Sequence, residues 1–210
     1  MDLEKLLVSL IPHPEDCLDK ARKLRAASPE LTGEELAHKA ISQAKVLTAT
    51  AGGLAGAVAN PLAMPTLAVA ELGLILDREA RLAGVIAALL DPAVIEDKDA
   101  FAADIIGILF PNAVSQALRE VAVRAGRATT RTLIRKYVRR AVLKRVTRFA
   151  ARYLGIKLTQ RALITKTLPV IGAAIGAGWN WVEVERLGQR SIRYYLDKES
   201  VVASSAPNLN

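Results

Sequence analysis

"AGGLAGAVANPLAMPTLAVA", Ala51 to Ala70, is the stretch on which the reading of this chain turns. It lies inside Val46–Ala70, 25 residues without a charged side chain. A helical membrane span needs about 20 apolar residues free of strong breakers, enough to cover about 30 Å. Gly52-Gly53, Asn60-Pro61 and Pro65 cut the run into two pieces. Neither reaches about 30 Å at ~1.5 Å per helical residue. The spacing predicts a helix ending at Gly52-Gly53 and another beginning near Pro65, where proline suits a first turn. A single straight span is not expected. A buried helical pair or a re-entrant hairpin remains.

A second uncharged run, "TLPVIGAAIGAGWNWV" at 167–182, has the same character. Each run holds a Gly-x-x-x-Gly pair: Gly52 with Gly56, and Gly172 with Gly176. Four-residue spacing puts both glycines on one helix face, where a second backbone can approach closely. These glycines are expected at helix crossings, either in an ordinary Ala/Gly core or in a membrane contact. Trp179 and Trp181 suit a lipid interface or the closing of a core.

The 210 residues suffice for one domain with a full core. Hydrophobic residues make up 51% and aromatics only 4%, so Ala, Leu and Val carry the apolarity. Ala and Leu favour helix, and the expected fold is all-α: one helical bundle with an Ala/Gly-rich central hairpin and an outer basic amphipathic helix. The expected division is an N-terminal helical arm at 1–32, a helical domain at 33–198 and a flexible tail at 199–210. Helices are expected over Asp2–Leu10, Glu15–Ala26, and from "TGEE" (32–35), a capping box, to about Ala51. Further helices are expected from Pro65 to Leu90, from Asp99 to Phe110, through much of 112–154, and from Leu168 to Leu196. "DP" at 91–92 looks like an N-cap with a first-turn proline.

Charge is distributed unevenly. Residues 1–118 carry −6, residues 119–166 carry +14, and residues 167–210 carry 0, for a net +8. The basic character is thus one local device. Its centre is "RTLIRKYVRRAVLKRVTRFAARYLG" (131–155). Ile134, Val138, Ala141, Val142, Val146, Phe149 and Tyr153 fall at helical spacing as one apolar stripe. Arg131, Arg135 and Arg139 form one flanking row; Lys136, Arg140, Lys144 and Arg148 form another, with Arg145 in the same block. Such a helix suits an anionic membrane surface, where each Lys or Arg adds about 1 kcal/mol. An acidic protein partner, a solvated face turned to the acidic region 1–118, and nucleic acid are the other readings. No zinc finger, RNA-recognition signature or helix-turn-helix supports sequence reading of nucleic acid.

Glu71 stands among apolar neighbours in "AVAELGLIL" and is expected to pair with Arg78, or with a polar group such as Asn180. A structural pair is favoured over a catalytic acid. Enzyme motifs are missing: "GGLAGAVAN" lacks the Gly-Lys-Ser/Thr of a phosphate loop, and there is no Gly-x-Ser-x-Gly elbow. No cofactor is expected. His13 and His38 are the only histidines and Cys17 the only cysteine, too few for a His/Cys metal cluster. His13, between two prolines, reads as a turn residue and Cys17 as a buried thiol. The N-terminus has no basic region before its apolar patch, unlike a secretory signal.

"KVLTATAGGLAGAVANPLAMPTLAVAELGLILDREARLAGVIAALLD" (45–91) resembles the core of the EcsC family of bacterial proteins. That family has an Ala-rich helix, a glycine-rich turn, then a helix with an acidic residue near its start. "ITKTLPVIGAAIGAGWNWVEVERLGQRSIRYYL" (164–196) resembles its closing segment. The likeness covers most of residues 35–197. The chain departs from it at Leu89-Leu90-Asp91-Pro92, where the family commonly has a Tyr-Gly pair. The resemblance implies a helical fold near membranes and supplies no mechanism. The expected function is a non-enzymatic, membrane-associated accessory or lipid-binding protein, cytoplasmic and peripheral to the inner face of the membrane. The alternative is a soluble interaction module whose basic helix docks an acidic partner or nucleic acid.

Overall fold

A computed structural model describes residues 10–56, 64–111 and 169–205. These form α1 (Pro14–Ala27), α2 (Gly33–Gly56), α3 (Met64–Leu90), a 3-10 turn (Pro92–Ile95), α4 (Lys98–Leu109) and α5 (Pro169–Ser205), with no strand among them. The expected all-α class is what the chain adopts. The helix expected over Asp2–Leu10, Leu10 apart, the break at Asn60-Pro61 and the basic block of 131–155 lie outside the described residues.

Local chemistry explains most helix starts. His13 is extended (φ −63°, ψ 126°), as a residue before proline prefers, and Pro14 opens α1. The capping box before α2 forms in full. Thr32 N donates to Glu35 Oε2 at 2.8 Å, and Glu35 N donates to Thr32 Oγ1 at 3.2 Å. The backbone bond from Thr32, then its hydroxyl, hold the Glu35 carboxyl below its usual range. Asp97 caps α4, accepting from the backbone N–H groups of Asp99 and Ala100 at 3.1 Å each.

Three boundaries differ from the sequence reading. α2 does not stop at Gly52-Gly53 but continues to Gly56. A helical glycine costs about 1 kcal/mol against alanine, which tertiary packing can offset. Asp91-Pro92 begins a 3-10 turn, and Asp91 makes no capping bond. α5 runs nine residues past Leu196, to Ser205, so the segment expected to be a tail begins as helix.

α1 buries Cys17, Ala21 and Leu24, one stripe at helical spacing. That stripe faces α3, whose Leu82–Leu89 segment is buried at every position. Phe101, Ile105 and Ile108 from α4, and Val184, Leu187, Ile192 and Tyr195 from α5, complete the core. α3 is alanine-rich there, and small residues set its close crossings. A Cβ on Gly84 would fall 2.5 Å from Cys17 Sγ and 3.1 Å from Phe101 Cζ. A Cβ on Gly188 would fall 2.6 Å from Ile41 Cδ1. Gly84 lets α1 and α4 close on α3; Gly188 lets α5 close on α2.

Helix directions follow from the contacts. Gly33 at the start of α2 meets Leu89 near the end of α3, and Arg78 Nη1 reaches Leu47 O at 2.6 Å. Lys45 meets Glu185 and His38 meets Gln189, so α5 is antiparallel to α2 as well. The end of α2, the start of α3 and the start of α5 therefore share one end of the bundle. Those are the helical parts of the two uncharged runs, 46–70 and 167–182. No helix among the described residues is long and apolar enough to cross a membrane.

Candidate functional site

The border of the uncharged end is lined by apolar side chains that have no core to enter. Val46 and Leu47 on α2, Leu74 on α3, and Trp181 and Val182 on α5 are all exposed, Leu47 at 63% and Trp181 at 43%. Single exposed apolar residues are ordinary; a set at one level of one end is not. Lys45 anchors this border. Its Nζ lies 4.4 Å from the Trp181 ring centroid and 2.5 Å from Glu185 Oε2. Gln189 Nε2 donates to Glu185 Oε1 at 2.9 Å. The Lys45 and Gln189 bonds hold the Glu185 carboxyl below its usual range.

Below this border, α1, α2 and α3 enclose a half-open cleft of about 380 Å³. Its floor is Cys17, Ala40, Leu82 and Val85, all buried. Its edge carries three cations, Lys20, Arg78 and Arg81, against one acid, Asp16. Arg81 is engaged by Asp77 (2.9 Å), with Asp16 at 4.0 Å. The Asp77 hydrogen bond raises the Arg81 pKa further. Arg78 bonds the neutral carbonyl of Leu47, and Leu47 belongs both to the cleft and to the exposed border. Burial pushes the Cys17 thiol up to about 12, opposed in part by Arg81. It is a neutral apolar wall at physiological pH.

No family model, curated protein or solved structure matches this chain.

At the opposite end, α5 is fastened by a polar clasp. Lys198 Nζ lies 2.9 Å from Asp91 Oδ2 and 3.0 Å from Asp104 Oδ2. Tyr194 donates its hydroxyl to Asp104 Oδ1 at 2.7 Å. Arg190 Nη1 adds a bond to Ile108 O at 2.9 Å. Burial disfavours the Lys198 charge, but the hydrogen bonds that it donates to both carboxylates outweigh this and raise the Lys198 pKa. Burial, then the Asp104 charge, pushes both the Tyr194 and the Tyr195 phenols up. Tyr195 packs edge-on to Tyr194 at 5.1 Å, with its hydroxyl buried and unbonded among the described residues. The clasp keeps lysine charged and tyrosine neutral, and Lys198 does not line the cleft between α1, α2 and α3. Its physical effect is to tie α5 to α4 and the 3-10 turn.

The sequence-chosen residues are placed as follows. Gly52 and Gly56 lie in the last turns of α2, and Gly172 and Gly176 in the first turns of α5, at the same end of the bundle. Their packing lies outside the described contacts, as do Arg131, Arg135, Lys136, Arg139, Arg140, Lys144, Arg145 and Arg148. Arg78 is half-buried and holds Leu47 O; the side chain of Glu71 is outside the described residues. The described buried acids are Glu79 and Asp104, which sequence reasoning did not select. A clue to Asp104 was available: it follows Phe101 and precedes Ile105 and Ile108 on the apolar face of α4. Cys17 is buried, as expected, whereas His13, expected in a turn, is an exposed, extended residue at the N-cap of α1, because proline follows it. No metal-binding group of acids, His and Cys occurs among the described residues.

Proposed function

We propose that this protein binds one face of an anionic membrane without crossing it, resting its uncharged end in the interface and its basic segment on the lipid headgroups. The observation that carries this reading is the meeting of both uncharged runs at one end, bordered by exposed Val46, Leu47, Leu74, Trp181 and Val182. From Val46 to Gly56, α2 covers only ~16 Å, about half a hydrocarbon core, but ample for the ~5–10 Å depth of interfacial insertion. Trp181 beside a lysine is the amphipathic pairing found at the water–lipid boundary. The +14 of residues 119–166 supplies the long-range attraction. The EcsC-like segments, 45–91 and 164–196, contribute this same end, and that family resemblance favours an accessory role near the inner face of the membrane.

Co-sedimentation with vesicles tests the reading. Wild-type protein is expected to pellet with phosphatidylglycerol vesicles at low salt, and less so as salt rises. Val182→Asp and Leu74→Asp alter exposed positions, so folding should persist while vesicle binding falls. Reversing Arg135, Arg139, Arg140 and Lys144 to Glu should remove the salt-sensitive part. Failure of the wild type to pellet with anionic vesicles at low salt defeats the proposal.

A further inference from the structure

We propose that the cleft between α1, α2 and α3 is a binding site for one molecule of a single-chain anionic lipid. Its acyl chain would lie on the Cys17, Ala40, Leu82 and Val85 floor, and its anionic headgroup against Lys20 and Arg78. The inference rests on the membrane reading only for how the ligand arrives.

Three observations converge. The buried lining is apolar apart from Thr48, whose hydroxyl is spent on Ala44 O at 2.7 Å, and burial keeps the thiol neutral. The volume, about 380 Å³, falls in the range of small-molecule sites, about 300–1,000 Å³. The edge is cationic and only partly neutralised. Arg81 has Asp77 and Asp16, whereas the bond described for Arg78 goes to an uncharged carbonyl. Lys20 is exposed at the mouth, free to follow a headgroup. A neutral lipid would leave those cations without a counter-charge. A polar anion without a chain would leave the floor bare. The chain's own basic segment carries the wrong charge for this edge. Leu47 connects the mouth to the exposed apolar border, so a lipid can enter from the interface without its chain passing through bulk water.

Titration calorimetry below the critical micelle concentration tests the site. The probes are myristoyl lysophosphatidylglycerol, lysophosphatidylcholine of the same chain, and glycerol 3-phosphate. One-to-one binding is expected for the first, about tenfold weaker binding for the second, and none for the third. Lys20→Gln, an exposed change, should bring the anionic lipid toward the affinity of the zwitterionic one. Ala44→Phe, from a half-buried wall position, should close the mouth to both. A photoactivatable fatty acid should label peptides of α1, α2 and α3. Absence of saturable monomer binding, or equal binding by wild type and folded Ala44→Phe, overturns the site. Should Ala44→Phe unfold, labelling confined to other peptides overturns it. The two proposals fail separately: Ala44→Phe should still pellet with vesicles, and Val182→Asp should still bind the monomeric lipid.

Discussion

Replacing single glycines by alanine should sort the described helical glycines into two groups of opposite sign. In an open helix interior, Gly→Ala stabilises by about 0.8–1.0 kcal/mol through backbone entropy. Gly73 and Gly178 meet that condition, since an added Cβ finds nothing within 4 Å at either. At Gly84 the added carbon would stand 2.5 Å from Cys17 Sγ, 3.1 Å from Phe101 Cζ and 3.3 Å from Pro12 Cγ. Cys17 and Phe101 are only 2% and 0% exposed, so neither can swing into solvent. Overpacking of this kind costs about 1–3 kcal/mol. Less the propensity gain, Gly84→Ala should be destabilised by about 1 kcal/mol, lowering Tm by about 2–4 °C for a chain of this size. Gly188→Ala should behave alike against Ile41. Gly73→Ala and Gly178→Ala should raise Tm by a similar amount. Because Sγ is the nearest obstacle, adding Cys17→Ala to Gly84→Ala should give a double variant more stable than the sum of the singles by about 1 kcal/mol. Thermal unfolding by circular dichroism reads all of this. A Tm for Gly84→Ala as high as that of Gly178→Ala would refute the close-crossing argument.

Three further outcomes follow from the same contacts. The Cys17 pKa rises from 9.0 to about 12 on folding, so the thiol's neutral form contributes stability fully below pH 9 that is lost as pH rises toward 12. From pH 9 to 10, wild-type unfolding free energy should fall, with Cys17 contributing a slope approaching about 1.4 kcal/mol per pH unit beside the raised phenols and Lys198, and Cys17→Ser should remove that share; equal slopes in urea titrations would exclude this origin. Asp104→Ala strips acceptors from Tyr194 and Lys198 and should cost about 2–3 kcal/mol, whereas Lys198→Met, which keeps the stem, should cost less; the reverse order in denaturant midpoints would show that the clasp is misassigned. Asp97→Ala removes the α4 cap and should cost about 1 kcal/mol, with Asp97→Asn nearly neutral; an equal loss in both would point to charge instead of capping.

What was legible in the sequence was local. Thr32 and Glu35 cap α2 because both partners lie within four residues, and Pro14 and Pro65 mark helix starts through their own fixed geometry. What was illegible depended on distant partners. Asp91 resembles a cap, but its carboxylate is taken by Lys198, brought back by an antiparallel helix. Gly52-Gly53 looks like a terminus, yet α2 continues past it to Gly56. Gly84, in the row Ala80-Gly84-Ala88, and Gly188, flanked by Val184 and Ile192 at the same spacing, have no glycine four residues away to mark them. The cleft was invisible because Lys20, Arg78 and Arg81 come from two different helices and share an edge only when those helices pack.

The single cysteine also gives the molecule an internal clock. Cys17 is 2% exposed, on the seam where α1 lies across α3, and no second thiol exists to confuse the signal. Alkylating reagent reaches it fully when α1 lifts away or the cleft above it widens. In the limit of fast reclosure, the ratio of its labelling rate to that of the unfolded chain is the population of that opened form. A thousandfold slowing would correspond to about 4 kcal/mol for the opening. The strength with which the first helix is held can thus be timed in the unmodified protein, one thiol per chain keeping the count.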